Sequence, residues 1–244
     1  MKTLSFAILL VCVVMMVVEI AVAHGFLPLS ENPMLGPDSY TLATLGSAYG
    51  WRMQQKYEIY RLFSPIFLHG GILHILGNML FLVFIGAPLE QKWGWQFFGL
   101  LFFLSGIGAS LFATAIHPNG ISVGASGALF GLLGGSLADL LVHWSTLDPQ
   151  MRKMQLIQQV ILILIWMFIS FGSKYIDGWA HLGGLLYGFV IGCAYWMPET
   201  EMHPRLKSYG RPATIALCST VTLLLAGLFF GGVIETQQLF PPYY

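Results

Sequence analysis

Apolar runs of about 18 residues or more recur along this chain, and each is the length of a helix that crosses the hydrocarbon core of a bilayer. The first covers about residues 4–23. Six more follow at about 70–89, 95–116, 126–143, 156–172, 179–197 and 213–234, joined mostly by short connectors. Only 9% of the 244 residues are charged and 56% are hydrophobic, whereas a soluble domain carries about 25% charged residues. A mean hydropathy of +0.72 over the whole length does not come from one buried core. The expectation is an all-α, polytopic transmembrane bundle of seven helices. It forms one membrane domain over 1–244, with a core at about 60–197 and an extra C-terminal helix.

The formal net charge is zero, so no basic surface points to nucleic acid. Cys12, Cys193 and Cys218 all lie inside apolar runs, in no metal or disulfide spacing. The first run has a rival reading: Lys2, the apolar stretch and Ala21, Val22 and Ala23 also resemble a signal peptide with its cleavage site. Its length and Glu19 favour a retained helix. Residues 24–68 are too polar to span and too apolar for a free linker, which suits an interfacial loop with short amphipathic helices. With the N-terminus in the cytosol, more Lys and Arg fall on the inner side than on the outer, so the chain reads N-in, C-out.

Polar groups inside a bilayer are costly, which makes them functional candidates by default. His74, Asn78, Ser126 and His181 each lie near the outer end of a run and share one depth. His74 and Asn78 are four apart, on one helical face. Alone they read as interhelical hydrogen-bonding glue. His69 and His74 are five apart, which points their rings to different faces, so no metal site is expected; no cofactor is called for either. Ser126 lies in Gly124-Ala125-Ser126-Gly127, at a loop-to-helix junction where glycine permits tight turns and unpaired N–H groups can bind developing negative charge.

Gly127, Gly131 and Gly135 form one small-residue ridge, and Gly184, Gly188 and Gly192 form another. If the ridges pack together, Ser126 beside the first and His181 one turn before the second come within reach. A Ser126 nucleophile with His181 as general base then follows, with the Ser126 N–H, His74 and Asn78 stabilising an oxyanion. Phe130, one turn below Ser126, is placed to stack on the imidazole. No acid stands third: Asp139 falls far below Ser126 and Asp177 lies in an outer loop.

At these residues the chain resembles the rhomboid intramembrane serine proteases, over about Tyr60 to Gly192. The family's His-x4-His-x3-Asn element is matched by His69, His74 and Asn78, its Gly-x-Ser-Gly by Gly124, Ser126 and Gly127, and its Ala-His with Gly-x3-Gly by Ala180, His181, Gly184 and Gly188. Tyr60-Arg61 stands where the family has Trp-Arg, Glu90 matches an acidic residue early in the loop after the second span, and Phe130 stands where tyrosine is frequent. The stretch from Asn32 to Pro37 and the additional C-terminal helix look like the eukaryotic secretase-type branch.

The resemblance implies single-span membrane proteins as substrates, cut in or near the span by a Ser-His dyad. They would enter laterally near the second and fifth spans, under a flexible cap formed by residues 173–178. It implies no nucleic-acid partner and leaves the oligomeric state open. The plasma membrane or the Golgi and other endomembranes are the expected location; the want of an Arg-rich presequence argues against mitochondria. The main alternative is a catalytically inactive rhomboid-like protein that binds membrane clients for trafficking or quality control, although such proteins usually lack the serine or the histidine. A small transporter fits less well, because no inverted repeat is visible.

Overall fold

The first helix, α1 (Thr3–Val22), carries Ser5, Ile8, Cys12, Met16 and Glu19 on one buried face, while Phe6, Leu10, Val14 and Val17 face outward. Spacings of three and four residues make that stripe. This is a computed structural model, and it describes residues 3–23 and 30–196. The face of α1 packs into the main core with Ile66, Ile75, Phe98, Phe102 and Leu129. The expected helix at 213–234 lies outside the described residues.

The segment at 30–68 contains two short helices, α2 (Ser39–Leu45) and α3 (Gly50–Lys56), and two 3-10 turns at Ile59–Leu62 and Ser64–Phe67. Asp38 caps α2 by accepting from the Thr41 N–H at 2.9 Å and its hydroxyl at 2.7 Å. One feature is unexpected: β1 (Ala48–Tyr49) pairs antiparallel with β2 (Ile121–Ser122), so the loop is sewn to the segment just before Ser126. Arg61 is fully buried; its Nη1 donates to the carbonyls of Ala43 (2.8 Å) and Ser47 (3.1 Å) and its Nε to Glu58 (2.5 Å). It therefore organises the loop and does not touch the polar cluster.

α4 (Ile72–Phe81) runs through one wide π turn (Leu82–Gly86) into α5 (Ala87–Trp93), and together they are one apolar helix. Two N–H groups of its first turn, on Ile72 and Leu73, donate to the carbonyls of Leu35 and Met34 at 3.0 and 3.2 Å. The Asn32–Pro37 stretch thus caps α4. The sequence reading put Glu90 in a loop, and here the structure corrects it. The helix continues to Trp93 and stops at Gly94, whose φ of +82° suits glycine. Glu90 is 1% exposed and accepts from the N–H groups of Leu4 and Ser5, each at 3.0 Å, and from the Ser5 hydroxyl. A carboxylate at the start of a helix satisfies orphan donors and opposes the helix dipole, so Glu90 anchors α1.

The centre is α6 (Trp95–Ile116), α7 (Ser126–Val142) and α9 (Gly178–Trp196). The two glycine ridges meet: a Cβ on Gly184 would fall on the Gly127 carbonyl, one on Gly188 on the Gly131 carbonyl, and one on Gly192 within 3.1 Å of the Gly135 Cα. Helix α8 (Pro149–Gly172) begins seven residues before the expected position, because Asp148 caps it, accepting from Gln150 and Met151 N–H at 3.0 Å, and Pro149 suits its first turn. Of its side chains only Ile163 and Ser170 are buried. Among the described residues, four helices are long and apolar enough to span alone: Thr3–Val22, Ile72–Trp93, Trp95–Ile116 and Pro149–Gly172. α7 is shorter and largely buried among its neighbours. The protein is a polytopic helical membrane bundle.

Candidate active site

α4, α7 and α9 all start at the same end of the bundle, and that places His74, Asn78, Ser126 and His181 around one cavity. Gly124 makes the turn into α7. Its φ of +121° is accessible to glycine, its N–H donates to the Pro65 carbonyl at 2.9 Å, and a Cβ there would stand 2.8 Å from two atoms of the His74 ring. Ser126 follows as the first residue of α7, half-buried, with Gly127 packed beneath Gly184.

His74 is fixed in one tautomer. Its Nδ1 accepts the Gly70 N–H at 3.2 Å, so in the neutral ring Nε2 carries the hydrogen. That nitrogen lies on the Gly124 side, 2.8 Å from where a Cβ would sit, and Asn78 Nδ2 is 3.3 Å from the same point. Asn78 is buried, and its Nδ2 has no hydrogen-bond partner among the described residues. Two donors thus converge beside the turn that precedes Ser126.

His69 does not join them. It is fully buried, its ring centroid is 5.3 Å from that of His74 at 71°, and its N–H donates to Glu19 Oε1 at 3.0 Å. It links α1 to the segment that aims His74. Among the described residues, no group of three or more His, Cys, Asp or Glu side chains converges as metal ligands. Arg61 and Glu90 act elsewhere in the fold, as described above.

His181 is 5% exposed and stacks on Phe130, with centroids 4.2 Å apart and planes 14° from parallel. Its Nδ1 lies 2.7 Å from Ser170 Oγ on α8. The sequence reading missed this contact, because a serine in an apolar helix ordinarily bonds to its own preceding turn. Both acids considered as third members are engaged elsewhere. Asp139 pairs with Lys92 (2.6 Å), His143 (2.8 Å) and the Trp93 indole (2.9 Å). Asp177 caps α9 through the Trp179 and Ala180 N–H groups at 3.0 Å.

Ser126 and His74 border two cavities. One, of about 330 Å³, has a polar rim that includes Glu31, Asn32, Lys174 and Asp177. The other, of about 150 Å³, is apolar; Leu73, Gly77 and Phe81 of α4 line one side of it, and Trp166 of α8 and His181 the other.

The architecture defines a helical membrane protein with a serine and a histidine held on facing helices near two polar donors. The Rhomboid domain matches residues 56–198, and the chain belongs to the rhomboid family. It is 39% identical over 86% of its length to RHOMBOID-like protein 1 of Arabidopsis thaliana, of which the match covers 57%. It is 38% identical over 86% of its length to RHOMBOID-like protein 6, mitochondrial, of the same plant (71% of that protein). Rhomboid-like protease 3 of Toxoplasma gondii is 35% identical over 77% of this chain and 70% of its own. Inactive RHOMBOID-like protein 8 of Arabidopsis thaliana is 34% identical over 66% of this chain and 45% of its own. The relatives thus include a protein named as a protease and a protein named as inactive.

Proposed function

We propose that this protein is an intramembrane serine endopeptidase in which Ser126 and His181 form the catalytic dyad. The observation that carries the reading is the convergence of Ser126, His181, His74 and Asn78 on one apolar cavity, with an Asn78 donor that is unpaired among the described residues beside the Ser126 turn. In the reaction, neutral His181 takes the Ser126 hydroxyl proton as the oxygen attacks a peptide carbonyl. The Ser126 N–H, the His74 Nε2–H and Asn78 Nδ2 donate to the oxyanion. The imidazolium then protonates the leaving amine, and the acyl-enzyme is cleared by a water that His181 deprotonates.

The two cavities suit the two reactants. Water reaches Ser126 from the polar side, and an unwound stretch of a single-span substrate enters the apolar cavity between α4 and α8, beneath the 173–178 loop. The segment must unwind because a helix keeps its carbonyls in its own hydrogen bonds. The plasma membrane or a Golgi-type endomembrane is proposed as the compartment; a tagged protein found in mitochondria, as the name of one relative makes worth checking, would overturn that.

The test is cleavage of a model single-span protein in liposomes by the wild type, Ser126→Ala and His181→Ala. Cleavage by the wild type alone is expected. Undiminished cleavage by either variant sinks the dyad, and no cleavage by any of the three against a panel of substrates favours the inactive, client-binding reading.

A further inference from the structure

We infer that Ser170 is a positioning residue that holds His181 in the tautomer the dyad requires; the inference rests on the dyad reading above. A serine base must present a bare ring nitrogen to the nucleophile. Which nitrogen is bare depends on the hydrogen bond made by the other. Here the other bond is to Ser170 Oγ, 2.7 Å from His181 Nδ1.

The direction of that bond follows from a second contact. Ser170 Oγ is also 2.6 Å from the Trp166 carbonyl, one turn earlier on α8. A carbonyl only accepts, so the single hydroxyl hydrogen goes to Trp166. The hydroxyl oxygen then accepts from His181, and Nδ1 carries the ring hydrogen. Nε2 is left bare and able to accept from Ser126. The reverse assignment would put two acceptors, Trp166 O and a bare Nδ1, against one hydrogen, and would leave Nε2 protonated and useless as a base.

The setting argues against an incidental core serine. Ser170 is 1% exposed on a helix whose remaining side chains, Ile163 apart, are not buried. Phe130 fixes the plane of the imidazole by stacking, but a half-turn flip about Cβ–Cγ, which exchanges Nδ1 and Cδ2, keeps that plane and is left open. The contact with Ser170 removes that freedom. A neutral hydroxyl on α8 thus takes the place that a carboxylate holds in a triad, where the acid fixes tautomer and orientation without taking the proton.

The experiment compares Ser170→Ala and Ser170→Thr with wild type, Ser126→Ala and His181→Ala in the liposome assay, alongside thermal unfolding and 15N NMR of histidine-labelled protein. A net neutral hydrogen bond corresponds to roughly a 10-fold effect. Ser170→Ala is expected to lower kcat about 10-fold with KM within about twofold, and to move His181 from the Nδ1–H form toward a mixture. Ser170→Thr, which keeps the hydroxyl, is expected to restore most of the rate and the tautomer. Wild-type kcat in Ser170→Ala overturns the inference, as does an equal loss in both variants with an unchanged tautomer, which would mark a packing role. If Ser170→Ala is fully active while Ser126→Ala and His181→Ala are dead, only this inference falls. If either dyad variant still cleaves, the dyad reading falls as well.

Discussion

Replacing Gly184 with alanine tests the helix contact on which the site depends. A Cβ at Gly184 would lie 2.8 Å from the Gly127 carbonyl carbon, and closer still to its oxygen, where ordinary contact begins at 3.4 Å. The obstruction is backbone of a buried helix, so no side chain can rotate away. The shortfall is about 0.6 Å at the carbon and larger at the oxygen, so α7 and α9 must part by more than that, and they do so one turn from His181 and beside Ser126. A misplacement of about 1 Å costs on the order of 100-fold in rate, and overpacking a core costs about 1–3 kcal/mol of stability. Gly184→Ala should therefore lower kcat about 10- to 100-fold, with a fall in Tm. Gly172→Ala is the control, because nothing lies within 4 Å of its added Cβ. Both are assayed in liposomes with one single-span substrate, with thermal unfolding in parallel. If Gly184→Ala cleaves at the wild-type rate, or Gly172→Ala is equally impaired, the close approach of the ridges does not set the geometry of the dyad.

Asn78→Ala should lower kcat about 100- to 1000-fold with little change in KM, because in the proposed mechanism its amide donates to the oxyanion; a change below twofold would remove it from that role. Cleavage should be unaffected by EDTA, and a loss restored by added divalent metal would require a different chemistry. The Glu58 carboxyl is pushed up by burial, but the hydrogen bond and charge of Arg61, with Arg52 4.0 Å away, outweigh this and hold it below the ordinary glutamate value. A depressed folded value means stability that is present above the unfolded value and lost as pH falls through the folded one. Glu58→Gln should therefore lower Tm at neutral pH, and the gap to wild type should close on acidification; a gap independent of pH would exclude this linkage.

What the sequence made legible was local or periodic. Apolar length located the helices at 95–116 and 126–142, and the four-residue glycine spacing foretold which faces of α7 and α9 meet. Phe130 was found because one helical turn separates it from Ser126. Contacts between distant segments left no such mark. Ser5 meets Glu90, and Glu19 meets the His69 N–H, and although Glu19, Glu90 and His69 stand out in the sequence, nothing in it pairs them with residues 50 or more positions away. The β1–β2 pair has two residues per strand, too few for an alternating pattern. The start of α8 was hidden because its first turns, with Gln150, Arg152 and Lys153, are polar while the helix signal used was hydropathy.

The π turn at Leu82–Gly86 has a bearing on how this chain can vary. An α-helix advances about 100° per residue, and a π turn takes up one extra residue without that advance. The extra residue sets the phase between the upper half, which presents Asn78 to the cavity, and the lower half, which presents Glu90 to the start of α1. With a regular turn, Glu90 would be rotated by about 100° out of the buried stripe whenever Asn78 was in place. Many substitutions within 82–86 leave the phase alone, whereas a one-residue deletion there forces a choice between the placement of Asn78 at one end of the helix and the anchorage of α1 at the other.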